Sequence, residues 1–161
     1  MDRIMPTAVF LAAIGSGVMG GFFYGFSNVV MAALGRLTPQ GGTAAMQSIN
    51  VTVLNPIFFI LFFGTALLAV ILAMAALLNL SQPGAYMLLA GSLLYLGGII
   101  LVTMIFNVPM NEALAVVDPA SPAGAEHWTG YLDRWTAWNH VRTITGIIAS
   151  ACFVLALRMA P

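Results

Sequence analysis

Four apolar runs decide what this chain can fold into, because each is long enough to cross a ~30 Å hydrocarbon layer at ~1.5 Å per residue. They cover roughly residues 7–34, 56–78, 84–106 and 139–159 of the 161. In hydrocarbon every backbone N–H and C=O has to be satisfied within the segment, so each run is read as a helix. The expected fold class is all-α: an integral-membrane four-helix up-down bundle, with 1–161 as a single transmembrane domain. The first run is too long for a signal-peptide core, and no cleavage-site pattern follows it.

Composition narrows the function classes. The chain is 61% hydrophobic and 6% charged, against about 25% charged in a soluble domain. It has five arginines, no lysine and no net charge, so nucleic acid is not an expected partner. Cys152, the lone cysteine, sits inside the last apolar run and reads as a small core residue with no redox motif around it. His127 and His140 fall on different helix faces, with no carboxylate-histidine motif nearby, so no metal or haem site is expected.

The connections place the polar residues. Residues 79–83 form a tight turn with Pro83 and Gly84 as breakers, whereas 35–55 and 108–138 are longer and carry most of the charge. In an up-down bundle the end of span one, the start of two, the end of three and the start of four share one membrane face. That face collects Tyr24, Ser27, Asn28, Arg36, Gln47, Asn50, Asn55, Asn107, Asn111, Trp128, Trp135, Trp138, Asn139, His140 and Arg142. The opposite face has little beyond Arg3, Asn79, Gln82 and Arg158. One end is therefore read as functional and the other as a closure.

At ~100° per residue, Asn139, Arg142, Thr143, Gly146, Ser150 and Phe153 share the inner arc of span four, with Ile144, Ile148 and Leu155 towards lipid. His140 lies on the flank. Gly17-x-x-x-Gly21-x-x-x-Gly25 on span one is a close-packing pattern. Thr103, Asn107 and Asn111 line one face of span three, where Pro109 is expected to bend or end the helix. A faint shift-of-80 likeness between residues 26–34 and 106–114, and between Met46–Asn50 and Trp135–Asn139, raises two repeated helix hairpins that would set Asn50 and Asn139 across one central site.

Each feature has a plain reading beside the functional one. The tryptophans with Tyr131 form either an interfacial belt or a stacking surface for a flat aromatic ligand. Asn107 and Asn111 either cap a broken helix or face the site. Arg142 either snorkels, pairs with Glu112, Glu126 or Asp133, or serves the site directly.

The chain resembles the anthrone oxygenase family, small four-span membrane proteins. The resemblance runs over nearly the whole length. It rests on Gly20-Gly21-Phe22-Phe23-Tyr24-Gly25-Phe26-Ser27, Met46-Gln47-Ser48-Ile49-Asn50, Asn107-Val108-Pro109-Met110-Asn111 and Trp135-Thr136-Ala137-Trp138-Asn139-His140-Val141-Arg142-Thr143. It implies oxidation of a lipophilic anthrone-type phenol by O₂, without metal, flavin or other cofactor. Such a protein has to remove a proton, stabilise an oxyanion and exclude water.

His140 is the expected base, since imidazole titrates nearest neutrality. Arg142 and Asn139 are the expected oxyanion donors. Asn50, Asn107, Asn111, Trp135, Trp138 and Tyr24 are the expected substrate-binding residues. The expected partners are a lipophilic aromatic small molecule, O₂ and the lipid bilayer, with room for a homo-oligomer. The competing class is a non-catalytic membrane module that binds a quinone, lipid or partner subunit. A transporter is disfavoured by the unbroken apolar stretches 67–78 and 88–101. Arginines balance across the two sides, the acids at 112–133 favour an external mouth, and the expected location is the bacterial inner membrane.

Overall fold

The computed structural model describes residues 4–159; Arg3, assigned above to the closed face, lies outside the described residues. Five helices follow in order: α1 Ile4–Leu34, α2 Pro39–Thr52, α3 Pro56–Leu78, α4 Ala85–Ala115 and α5 Pro122–Met159. No strand occurs among the described residues. Helices α1, α3, α4 and α5 are each long and apolar enough to cross a membrane. The protein is an all-helical, four-span membrane protein.

Three helices begin with the same local chemistry. Thr38-Pro39, Asn55-Pro56 and Ser121-Pro122 each set a side-chain oxygen before a proline whose missing N–H is not needed at that position. Thr38 Oγ1 accepts the Gly41 N–H at 3.2 Å, Asn55 Oδ1 the Phe58 N–H at 3.1 Å, and Ser121 Oγ the Gly124 N–H at 2.9 Å. The first of these starts α2, a helix inside the expected 35–55 connection.

Two spans run further than expected. Helix α4 continues through Asn107 and Pro109 to Ala115, because a five-residue-wide π turn at Thr103–Asn107 precedes the proline. There the Val108 N–H bonds Thr103 O, so the ring of Pro109 follows a widened turn instead of clashing with a regular one. Helix α5 has 38 residues and not only 139–159, a length of ~57 Å. That is longer than a ~30 Å hydrocarbon layer requires, and the N-terminal half of α5 carries the tryptophans.

The buried residues of α5 recur every three or four positions: Trp128, Tyr131, Trp135, Asn139, Arg142, Gly146, Ala149, Phe153 and Ala156. That is the spacing of a helix seated along a bundle seam. Ile144, Ile148 and Leu155 are exposed on the other side, as their phase requires. Met19, Phe62, Leu72, Tyr95, Ile99 and Phe153 form the membrane core, where the Tyr95 hydroxyl donates to Phe62 O at 3.0 Å. A second cluster lies under α2 and holds Met31, Leu34, Met46, Leu114, Trp128, Tyr131 and Trp135.

Of the glycines in the spacing pattern only Gly17 approaches α5, where a Cβ would stand 3.1 Å from Ser150 Oγ, and the closest helix approach falls at Gly20. Gly21 and Gly25 face open space, whereas Gly20 on α1 meets Gly146 on α5. A Cβ at Gly146 would stand 2.9 Å from Gly20 Cα. Gly146→Ala is therefore expected to destabilise by about 1–3 kcal/mol through overpacking, while Gly21→Ala is neutral. Thermal unfolding of the two variants in the same detergent checks the contrast.

Candidate functional site

Arg142 organises the polar end. It sits on the α5 seam and is 4% exposed. Its Nη2 donates to Asn139 Oδ1 at 2.7 Å and its Nη1 to Thr103 Oγ1 at 3.3 Å. Its guanidinium carbon lies 4.2 Å from the Phe23 ring centre and 4.9 Å from that of Trp135, between two aromatic faces. Such stacking stabilises a desolvated cation by about 2 kcal/mol. Its Nε has no partner. Among the described residues no carboxylate reaches it, so the pairing with Glu112, Glu126 or Asp133 raised from the sequence does not form.

Asn139 is the clamp behind Arg142. Wholly buried, it donates from Nδ2 to Phe23 O at 2.7 Å and Ser27 Oγ at 2.6 Å. Those acceptors lie at a π turn, Phe26–Val30, where the Met31 N–H bonds Phe26 O. Passing from four-residue to five-residue bonding skips a carbonyl, and side chains serve this stretch. Asn28 Nδ2 donates to Tyr24 O and Asn139 to Phe23 O. Thr103 belongs to the π turn at Thr103–Asn107, so this turn and, through Asn139 and Ser27, the one in α1 meet the same arginine, while a further π stretch, Leu94–Leu101, lies earlier in α4.

A cavity of about 90 Å³ opens on the guanidinium. Its walls include Phe22, Phe23, Phe26, Met46, Ile49, Asn50, Phe58, Thr103, Asn111, Trp135 and Arg142. Asn111 Oδ1 accepts both the Tyr131 hydroxyl and Trp135 Nε1 at 2.8 Å, which holds the indole in place at the cavity wall. Asn50 meets the same Tyr131 hydroxyl from α2. Gln47 Nε2 donates to Leu114 O and Val117 O at 2.9 Å, tying α2 over the end of α4. Gly42 lets it lie that close, because a Cβ there would stand 2.6 Å from the Trp128 ring. The polar end is thus roofed by α2 and is not an open mouth.

The structure brings together Asn50, Asn111, Trp135 and Arg142 at the cavity, with Asn139 behind the arginine. Asn107 is buried beneath them, donating from Nδ2 to Trp135 O at 3.3 Å, and its Oδ1 has no partner. Three expected residues lie elsewhere. Tyr24 is one helix position past Phe23, which turns it outward to 55% exposure. Trp138 is one position off the α5 seam and stacks face to face on Phe106, ring centres 3.5 Å apart.

His140, next to Asn139, is exposed in a separate groove with Asp133, Thr136 and Ser27. The aromatic arc is neither a belt nor a free platform, since Trp128, Tyr131 and Trp135 stack in succession inside the second core. Ser27 and Thr103, placed on the polar face and on the inner face of span three but given no role, join the site, and so does Phe23.

The model of the family described as anthrone oxygenase matches residues 58–152. The chain belongs to the anthrone oxygenase family. No curated protein and no solved structure matches it. The region matched to the anthrone oxygenase family runs from Phe58 to Cys152 and carries Thr103, Asn107, Asn111, Trp135, Asn139 and Arg142. The remaining walls, from α1 and α2, lie before it.

Asn139→Ala is expected to leave Phe23 O and the Arg142 guanidinium short of partners at a cost of about 1–3 kcal/mol. Asn28→Ala, which removes a bond on an exposed face, should cost far less. Chemical or thermal unfolding of both variants reads the difference, and equal stability would show that the clamp carries no weight.

Proposed function

We propose that the protein is an oxygenase-like enzyme that binds the ionised form of a lipophilic, anthrone-type phenol and lets it react with O₂. The observation that carries this reading is a buried guanidinium that faces a cavity with no anion of its own. A charged side chain at bilayer depth costs about 2.5–3.5 kcal/mol on insertion scales. A bound anion offsets that cost, and a neutral ligand would not. The bacterial inner membrane is the proposed location, where the bilayer dissolves both reactants.

The chemistry follows from the anion. Loss of one proton from the anthrone methylene gives an aromatic anthrolate, rich enough in electrons to pass one to O₂. Recombination forms a C–O bond and leaves a hydroperoxide at that carbon. Loss of the remaining C–H proton with O–O cleavage expels water and forms the second carbonyl. Carbon is oxidised, O₂ is reduced, one oxygen is kept and the other leaves as water.

Arg142 holds the developing oxyanion as a preorganised donor, with Asn139 fixing its plane and Trp135 beside the ring. No carboxylate or imidazole lines the cavity among the described residues. The substrate's own ionisation therefore supplies the anion, and the neighbouring cation favours that form.

Turnover of an anthrone, followed by quinone absorbance against a boiled control, tests the reading. Arg142→Met should lose activity by about 10²–10³-fold, as for a deleted oxyanion donor. Arg142→Lys should lose most of it too, since the planar fork is gone. His140→Gln should keep near-normal turnover, with the pH profile still rising through the ionisation of the substrate. Quinone binding with no turnover in the wild type would instead identify a non-catalytic quinone-binding module.

A further inference from the structure

We infer that the groove between α1, the end of α2 and the start of α3 seats the apolar ring body of the molecule whose ionised end meets Arg142, behind a partition formed by Phe22, Phe26 and Phe58. This rests on the reading of Arg142 as an anion site. The first observation is one of size. The cavity at the guanidinium is about 90 Å³, whereas an apolar cavity of about 150 Å³ holds a single benzene. It takes no more than one ring, so a fused tricycle cannot fit inside it.

The second observation is continuity. A groove of about 420 Å³ lies directly outside and shares Phe22, Phe26, Ile49, Val53 and Phe58 with the cavity. Ligand sites span about 300–1,000 Å³, and the groove alone falls in that range. The rings of Phe22, Phe26 and Phe58 line both spaces. Phe22 packs against Phe26 at 4.9 Å and against Phe58 at 5.7 Å between ring centres. Rotating these rings would join groove and cavity without moving a helix.

Two other sides of the cavity are closed. Helix α2 with Trp128, Tyr131 and Trp135 roofs the cavity, and the Asn139–Arg142 bonds close its floor. The groove wall also has the right polarity for an amphiphile arriving from the bilayer. Val18 and Ile57, 45% and 73% exposed, are apolar, while Ser48, Thr52 and Asn55 form a polar edge at the α2–α3 turn. A flat aromatic with one ionisable end matches an apolar groove that leads to an unpaired cation. The three phenylalanines then act as specificity-determining residues, setting how wide a ring system passes.

Two probes separate this inference from the reading beneath it: a dihydroxyanthraquinone, which has three fused rings, and para-nitrophenolate, which has one. Binding is followed by visible absorbance with the protein in lipid nanodiscs, corrected against empty discs. Ser48→Trp and Ile57→Trp fill the groove at exposed positions and leave the cavity walls untouched.

Each should weaken the tricycle on the order of 10–200-fold, the scale on which a pocket discriminates by lost space. The single-ring probe should bind as to the wild type, which also reports an intact fold. Arg142→Met should lose both probes. Groove variants that bind the tricycle normally would overturn the inference, as would variants that weaken both probes alike. Retention of both probes by Arg142→Met would overturn the anion-site reading itself.

Discussion

A guanidinium buried at the polar end of a membrane bundle, with no carboxylate beside it, sets the terms for everything around it. Arg142 has to be held by neutral groups, and each one constrains another part of the chain. Asn139 spends its oxygen on the arginine and its amide on Phe23 O and Ser27 Oγ, which pins α1 to α5. Thr103 requires the wide turn in α4, and the rings of Phe23 and Trp135 flank the cation. The Gly20–Gly146 crossing lies one turn deeper and lets the two helices approach closely enough for the asparagine to reach across.

The π turns in α1 and α4 show how the fold accepts residues that a regular helix would refuse. Two of the three π stretches, Phe26–Val30 and Thr103–Asn107, supply side chains to the arginine network, Ser27 from the first and Thr103 from the second, and the third, Leu94–Leu101, lies earlier in α4. Such turns concentrate at functional sites because they re-aim side chains and release backbone acceptors. A substitution that restored regular helical bonding at either place would rotate these groups off the seam while leaving the apolar spans intact.

Much of this architecture could be read in the sequence because hydrocarbon imposes a simple rule: long apolar runs become helices, and their polar ends gather. The inner arc of α5 followed from phase alone, which is why Asn139 and Arg142 were placed inward and Ile144 and Ile148 outward. Residues one position off a seam were the harder cases. Tyr24 and Trp138 are polar-aromatic and near the site in sequence, yet ~100° of rotation turns one to the outside and the other onto Phe106.

Helix α2 was missed because its low hydropathy and paired Gly41-Gly42 read as a loop, although Thr38-Pro39 is a helix-start signal. The roof it forms turns an apparent mouth into a covered cavity. The proline at 109 suggested a break, and the preceding π turn removes the steric reason for one. None of the three π stretches has a local sequence signature strong enough to reveal it in advance.

The account stands on the charge state of what Arg142 binds. A phenol taken into an apolar cavity without a cation becomes harder to ionise, whereas one set against a guanidinium becomes easier. These effects have opposite signs, so the ionisation of a bound hydroxyanthraquinone, read from its visible spectrum as pH is varied, distinguishes them directly. The account predicts that its apparent pKa falls on binding to the wild-type protein and does not fall with Arg142→Met. A pKa that rises, or stays unchanged, on binding to the wild type would contradict it.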